Sequence, residues 1–99
     1  MKKIADSSEI APGEIKSFTV GFDEVAVCNV DGRMCAFIDR CTHQDLPLSD
    51  GDLSGGVVTC AYHGAQFNVE TGEALCMPAT EPLETVEVRV ENGSVFIDL

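Results

Sequence analysis

Two cysteine–histidine pairs on separate segments constrain this chain more than any other feature. The chain has two histidines, and each follows a cysteine by a short step, in Cys41-Thr42-His43 and in Cys60-Ala61-Tyr62-His63. Two thiolates and two imidazoles complete the ligand set of one tetrahedral zinc. The same side chains can hold a two-iron cluster, with the thiolates on one iron and the imidazoles on the other. The spacing therefore predicts a metal centre that joins two loops.

The local spacing lets the four side chains converge. In an extended segment, residues two apart point to the same side, so Cys41 and His43 can face one metal centre. Cys60 and His63 can converge around a tight turn. Gly64 follows directly, where the backbone can adopt a positive φ or pass close to the metal. Four protein ligands leave no open position, which argues against a catalytic zinc.

The charge of the chain limits its partners. Its 99 residues carry a net charge of −11 and include six Lys and Arg residues. This length indicates one small domain, which a metal centre would help to stabilise. So few basic side chains argue against nucleic-acid binding, and the acidity argues against anionic membrane surfaces. The charge fits either simple solubility or docking to a basic partner protein.

The N-terminus and the cysteines indicate a cytoplasmic protein. Asp6 and Ser7 interrupt the N-terminal segment before any apolar run of signal-peptide length. No stretch of the sequence is long enough to span a membrane. Five cysteines, an odd number, fit metal ligands plus free thiols better than a disulfide framework. We expect ordinary packing roles for Cys28, Cys35 and Cys76.

Short apolar runs separated by turn residues predict an all-β fold. Asp31-Gly32 suits a two-residue type I′ turn between strands over 25–30 and 33–39. In that register Cys28 lies opposite Cys35. Both strands are apolar on both faces, which is typical of a β-sandwich or a closed barrel.

The C-terminus predicts a second hairpin, with one buried face and one wet face. Valines alternate with charged residues before Asn92-Gly93, a dipeptide that suits a two-residue turn. The predicted register pairs Val90 with Val95, Val88 with Ile97 and Val86 with Leu99. A separate strand is predicted over Ile15–Val20.

Residues 41–80 differ from the rest of the chain in their many glycines and prolines. Short strands are predicted within them at 57–59 and 66–69. The chain is therefore interpreted as one domain, in which a small metal-binding subdomain (41–80) is inserted into an antiparallel β base formed by 1–40 and 81–99.

Over nearly its full length the chain resembles the Rieske-type ferredoxins of bacterial ring-hydroxylating oxygenase systems. The matching residues are Asp31-Gly32, Cys41-Thr42-His43, Asp50-Gly51, Val57-Val58-Thr59-Cys60, His63-Gly64, Phe67, Thr71-Gly72 and Pro82-Leu83. The resemblance implies one Rieske 2Fe-2S cluster per chain. It assigns Cys41 and Cys60 to the inner iron and His43 and His63 to the outer iron, in a β base with a smaller cluster-binding subdomain.

Four residues differ from those found in the respiratory Rieske proteins, which are the high-potential branch of the family that this chain resembles. Leu46 and Tyr62 stand where those proteins carry an extra pair of cysteines joined as a disulfide. Ala65 and Phe67 stand where they carry a serine and a tyrosine whose hydroxyls donate to cluster sulfur and ligand thiolate. Without these donors the reduced cluster is less stabilised, so we expect a midpoint potential of about −150 mV, the bottom of the Rieske range.

The resemblance implies an electron-transfer component and not an enzyme. The chain would accept one electron from a ferredoxin reductase and pass it to a terminal oxygenase, as a monomer that binds neither nucleic acid nor membrane. One alternative is an electron-transferring small subunit of a larger oxidoreductase such as nitrite reductase. Another is a zinc-stabilised interaction module without redox chemistry.

Overall fold

The computed structural model describes residues 1–40, 47–61, 64–76 and 81–98. In these ranges the chain forms eleven strands and two single-turn 3₁₀ helices, Ser7–Glu9 and Leu48–Asp50. The strands are β1 (Lys2–Asp6), β2 (Ile15–Val20), β3 (Asp23–Val30), β4 (Arg33–Ile38), β5 (Asp52–Ser54), β6 (Val57–Thr59), β7 (Gln66–Asn68), β8 (Ala74–Cys76), β9 (Thr85–Val86), β10 (Val88–Glu91) and β11 (Ser94–Ile97). The all-β prediction is confirmed.

The described strands form three antiparallel sheets. The outer sheet has the order β1-β11-β10, and the central sheet has the order β2-β3-β4-β9. The short-stranded sheet, β5-β6-β7-β8, is built entirely from residues 52–76. Every pairing joins neighbours along the chain except β1 with β11 and β4 with β9.

Strands β3 and β4 are apolar on both faces because each face contributes to a different core. The first core joins one face to the short-stranded sheet and its loops through Ala26, Cys28, Cys35, Phe37, Leu48, Val58, Cys60, Ala65, Phe67, Val69 and Leu83. The second core joins the other face to the outer sheet through Ile10, Val25, Val27, Ala36, Val86, Val95 and Ile97. The central sheet is therefore the middle layer, as two-sided burial requires.

Both predicted hairpin turns are confirmed. Asp31 and Gly32 have φ values of 51° and 94°, and Asn92 and Gly93 have φ values of 50° and 75°. Positive φ at both central positions is the signature of a type I′ turn, whose twist matches that of the flanking strands. Cys28 lies opposite Cys35, as the turn predicts.

The register of the C-terminal hairpin is confirmed for two of its predicted pairs, Val90 with Val95 and Val88 with Ile97. The assignment of Val86 to this hairpin is wrong, because Val86 pairs with Ala36 in the central sheet. Its predicted partner Leu99 lies outside the described residues. The chain changes sheets at Glu87, between β9 and β10.

The outer sheet also departs from the predicted burial pattern. Val90 was expected to face inward, but its side chain is 44% exposed. It lies on β10, an edge strand, next to the hairpin turn and beyond the reach of the second core. Strand β1 was not predicted, because its sequence has only two apolar residues between charged ones. Pairing with the open edge of β11 makes it a strand. Among the described residues, the helical segments are three-residue turns, and neither reaches the length and hydropathy that crossing a bilayer requires.

Candidate metal centre

Cys60 is a buried residue at the end of a short hairpin. It follows β6 directly, and its side chain belongs to the first core with only 2% exposure. Strand β6 pairs with β7, and the Gln66 amide Nε2–H donates to the Thr59 hydroxyl oxygen at 3.2 Å. The chain between these strands must therefore turn back within residues 60–65.

Backbone hydrogen bonds close this turn. The Cys60 N–H donates to the Ala65 carbonyl oxygen at 2.7 Å, and the Gly64 N–H donates to the Cys60 carbonyl oxygen at 3.1 Å. Gly64 has a φ of +74°, which L side chains rarely adopt, so the predicted need for glycine here is confirmed. Cys60 is thus fixed in position by both its N–H and its carbonyl group.

Two hydrogen bonds join residues on either side of the segment that carries the other predicted pair. The Asp39 carboxylate accepts the Ser49 N–H on Oδ1 at 2.8 Å and the Ser49 hydroxyl on Oδ2 at 2.7 Å. We call this contact the Asp39–Ser49 bridge. The Asp39 N–H in turn donates to the Glu24 carbonyl oxygen on β3 at 2.8 Å. The bridge therefore joins the described residues that flank segment 41–46.

The structure describes one of the four predicted ligands. Cys41, His43 and His63 lie outside the described residues, as do Leu46, Tyr62 and Pro78. Within the described part of the chain, no group of three or more His, Cys, Asp or Glu side chains could hold a metal ion. The four-ligand site therefore stays a prediction, and Cys60 with its closed turn fits it.

The surroundings of Cys60 are apolar. Ala65 and Phe67 are fully buried, and both pack in the first core with Cys60. Neither side chain carries a hydroxyl, so neither can donate a hydrogen bond to a sulfur atom. Leu48 is also fully buried in this core. The arrangement suits a desolvated thiolate ligand.

Cys28 and Cys35 are free thiols in the described structure. The Cys28 thiol donates to the Cys35 carbonyl oxygen at 3.5 Å. In this hairpin the two residues form a hydrogen-bonded pair, whose Cβ atoms lie about 5.5 Å apart, farther than the roughly 3.8 Å of a disulfide.

Interaction with the Cys35 side chain and burial raise the pKa of the Cys28 thiol far above its ordinary value, while the same interaction lowers the pKa of Cys35. The predicted packing role fits both residues. The side chain of Cys76, at the end of β8, lies outside the described part of the structure.

Sequence reasoning missed three positioning residues. Asp39 and Ser49 are ten residues apart, and nothing in the sequence links them. Gly51 packs so closely that a Cβ atom there would overlap the Thr59 carbonyl oxygen and lie 3.2 Å from the Leu48 carbonyl oxygen. Thr59 directly precedes Cys60, so Gly51 supports the path of the chain into this predicted ligand. In the sequence, Asp50-Gly51 stood out only as one of the motifs that carry the family resemblance.

Comparisons with known proteins identify the family. Residues 1–87 match the family model for the Rieske [2Fe-2S] domain. The ferredoxin component of biphenyl 2,3-dioxygenase from Rhodococcus jostii (strain RHA1) is 43% identical over all 99 residues and 92% of its own length. The ferredoxin subunit of 3-phenylpropionate/cinnamic acid dioxygenase from Escherichia coli (strain K12) is 47% identical over 76 residues, which are 76% of this chain and 72% of that protein.

A solved structure supports the same assignment. A chain in the complex of reduced oxygenase and oxidized ferredoxin in carbazole 1,9a-dioxygenase superposes with a TM-score of 0.91 at 39% identity, covering 97% of this chain and 90% of that one. These findings confirm the predicted 2Fe-2S cofactor and the electron-transfer role, and they set the zinc module aside. The chain therefore belongs to the Rieske [2Fe-2S] domain family, as a ferredoxin of the kind found in aromatic-ring dioxygenase systems.

Proposed function

We propose that this chain is a free one-electron carrier that takes electrons from a reductase and delivers them to the terminal oxygenase of an aromatic-ring dioxygenase system. The end-to-end match to a ferredoxin component, over the whole chain and 92% of the relative, carries this proposal. That relative is named as a ferredoxin component of a dioxygenase, which favours a carrier over the small subunit of another oxidoreductase such as nitrite reductase. We place the carrier in the cytoplasm.

We further propose that Cys41 and Cys60 hold the inner iron, and that His43 and His63 hold the outer iron. The burial of Cys60 and the closed turn at 60–65 support Cys60 and His63 as ligands, because position 63 falls within that turn. The Asp39–Ser49 bridge supports Cys41 and His43, because it joins the residues that flank their segment.

Residues 41–80 act as the cluster-binding subdomain in this proposal, on a base formed by 1–40 and 81–99. The short-stranded sheet supports this division, since all of its strands lie within 52–76. The first core joins that sheet to the central sheet, so the base holds the subdomain through apolar contacts.

The cluster supplies one-electron redox chemistry when it is bound, and the chain sets the conditions around it. The buried side chains of Ala65 and Phe67 exclude water from the Cys60 side of the site and donate no hydrogen bond. The net charge of −11 adds a negative background, which disfavours a further electron and is weakened by solvent screening. A midpoint potential of about −150 mV is therefore part of the proposal.

Cysteine substitution tests the ligand assignment with a matched control. Cys60→Ser should lose the visible absorption of the cluster, together with its two irons and two sulfides per chain. Cys28→Ala removes another buried thiol of the first core and should keep the full iron and sulfide content. Retention of the complete cluster by Cys60→Ser would contradict the assignment.

Electron transfer tests the role. The reduced chain should be reoxidised by the terminal oxygenase purified from its source organism, and the oxidised chain should be reduced by the matching reductase. Gel filtration of the natively produced protein should show a free monomer in the cytoplasmic fraction. Co-elution with one larger oxidoreductase would favour the permanent-subunit alternative instead.

A further inference from the structure

A cleft of about 510 Å³ opens beside the first proposed ligand loop. One wall is the end of the β2–β3 hairpin, with Phe22, Asp23 and Glu24. The opposite wall is formed by the residues that flank segment 41–46, including Arg40 and Pro47. We call this feature the Phe22 cleft. It adjoins the segment that carries two of the four proposed ligands.

Phe22 is fully exposed on the rim of this cleft. It occupies the second central position of the two-residue turn between β2 and β3, after Gly21 with a φ of +64°. That turn directs the phenyl ring away from both cores. Isolated exposed apolar residues are common on protein surfaces. Phe22 differs from such residues because its ring stands at the mouth of a concave, charged surface.

The exposed charges of the cleft are mostly acidic. Its lining includes the exposed residues Asp23, Glu24 and Asp50 and one exposed basic residue, Arg40. Asp39 also lines the cleft, but it is only 8% exposed and its carboxylate binds Ser49. One exposed carboxylate is held in place, because the Thr19 hydroxyl donates to Glu24 at 3.0 Å. The negative surface is therefore partly preorganised, which favours docking by lowering the loss of side-chain freedom on binding.

We propose that the Phe22 cleft is the docking surface for a basic face of the terminal oxygenase, with Phe22 inserted into an apolar recess of that partner. This inference rests on the proposed function. An aromatic anchor beside fixed charges is the arrangement that concentrates binding energy in protein interfaces. Charge complementarity requires Lys and Arg residues around the recess. A second copy of this chain does not fit, because two chains of −11 repel each other.

The choice of the oxygenase over the reductase follows from the comparisons. The relative at 39% identity was solved in a complex with its oxygenase. A cleft next to segment 41–46 would bring that partner close to the proposed ligands Cys41 and His43. Electron delivery needs a short distance between the two redox centres, and a partner docked at this cleft would contact Arg40 and Pro47, which flank the proposed ligand segment.

The test measures binding and electron transfer with the purified terminal oxygenase of the source organism. Phe22→Ala should weaken its affinity at least tenfold, and should lower the second-order rate of cluster reoxidation by a similar factor. Asp23→Asn should weaken affinity about threefold at low salt, and this difference should vanish at high salt because exposed charges are screened. Both residues are exposed, so the absorption spectrum and thermal midpoint should stay unchanged.

Two surface variants on the far hairpin serve as matched controls. Val90→Ala removes an exposed apolar side chain, and Asp98→Asn removes an exposed carboxylate, both outside the Phe22 cleft. Each should change oxygenase binding by less than twofold. If Phe22→Ala binds the oxygenase as tightly as wild type, the docking surface is refuted while the proposed function stands. If Phe22→Ala weakens binding to the reductase but not to the oxygenase, the proposed docking surface is refuted as well. If the wild-type chain transfers no electron to the oxygenase, the proposed function fails and the docking surface fails with it.

Discussion

Removing the Ser49 hydroxyl should loosen the first proposed ligand loop. In Ser49→Ala the Asp39 carboxylate keeps the backbone N–H of residue 49, which lies 2.8 Å from Oδ1. It loses the hydroxyl donor that lies 2.7 Å from Oδ2. Asp39 is only 8% exposed, so water replaces the lost donor poorly. The substitution therefore tests one charge-assisted hydrogen bond without altering the backbone.

The expected loss follows from the kind of bond that is removed. A hydrogen bond to a charged group contributes about 1.5–3 kcal/mol to stability. A loss of about 2 kcal/mol would lower the thermal midpoint of a domain of this size by roughly 10 °C. If iron leaves through opening of the 41–46 segment, the same free energy would speed iron loss by up to about 30-fold.

Two measurements check this prediction. Differential scanning calorimetry at a fixed scan rate gives the thermal midpoint, and decay of the visible absorption band in a chelator gives the rate of iron loss. Ser17→Ala is the matched control, because the Ser17 hydroxyl donates to an exposed carboxylate, that of Glu24, at 3.3 Å. It should change stability by less than about 0.5 kcal/mol.

The double variant adds a sharper criterion. In an Asp39→Ala background, Ser49→Ala should lower the free energy of unfolding only slightly further, because the carboxylate acceptor is already absent. Full additivity of the two substitutions would refute the Asp39–Ser49 bridge as a stabilising contact. Faster unfolding with an unchanged rate of iron loss would refute its role in holding the ligand loop.

Three other substitutions test separate features. Gly51→Ala should cost about 3 kcal/mol and reduce the iron bound per chain, because the new Cβ would overlap the Thr59 carbonyl oxygen; wild-type iron content would contradict this. Ala65→Ser or Phe67→Tyr should raise the midpoint potential by about 50 mV in a redox titration, since each adds a donor that favours the reduced cluster; an unchanged or lower potential would count against it. The raised pKa of Cys28 means that the folded state keeps a proton that the unfolded chain releases above the ordinary thiol pKa of 9.0. Stability should therefore fall as the pH rises above 9, and the fall should be shallower in Cys28→Ala, as measured by urea unfolding; parallel curves for the two proteins would refute this linkage.

Turn chemistry explains which parts of the fold were predictable. Asp31-Gly32 and Asn92-Gly93 determine type I′ turns, and each turn fixes the register of the strands on either side. Cys28 opposite Cys35 and Val90 opposite Val95 follow from that local geometry alone. The Val86 pairing could not be predicted in this way. It depends on where the chain leaves one sheet for another, which neighbouring residues do not encode.

Local sequence predicts a metal centre and the two hairpins, because ligand spacing and turn residues act over a few positions of the chain. Spacing alone left zinc and a two-iron cluster open, and the resemblance over nearly the whole chain selected the Rieske 2Fe-2S cluster. The four proposed ligands also come from the sequence, and among them the structure describes Cys60. Three features follow only from the packed fold: Asp39 binds Ser49, Gly51 supports the segment before Cys60, and Phe22 stands exposed over an acidic cleft. These features depend on which distant segments pack together, and that is set by burial of the two cores.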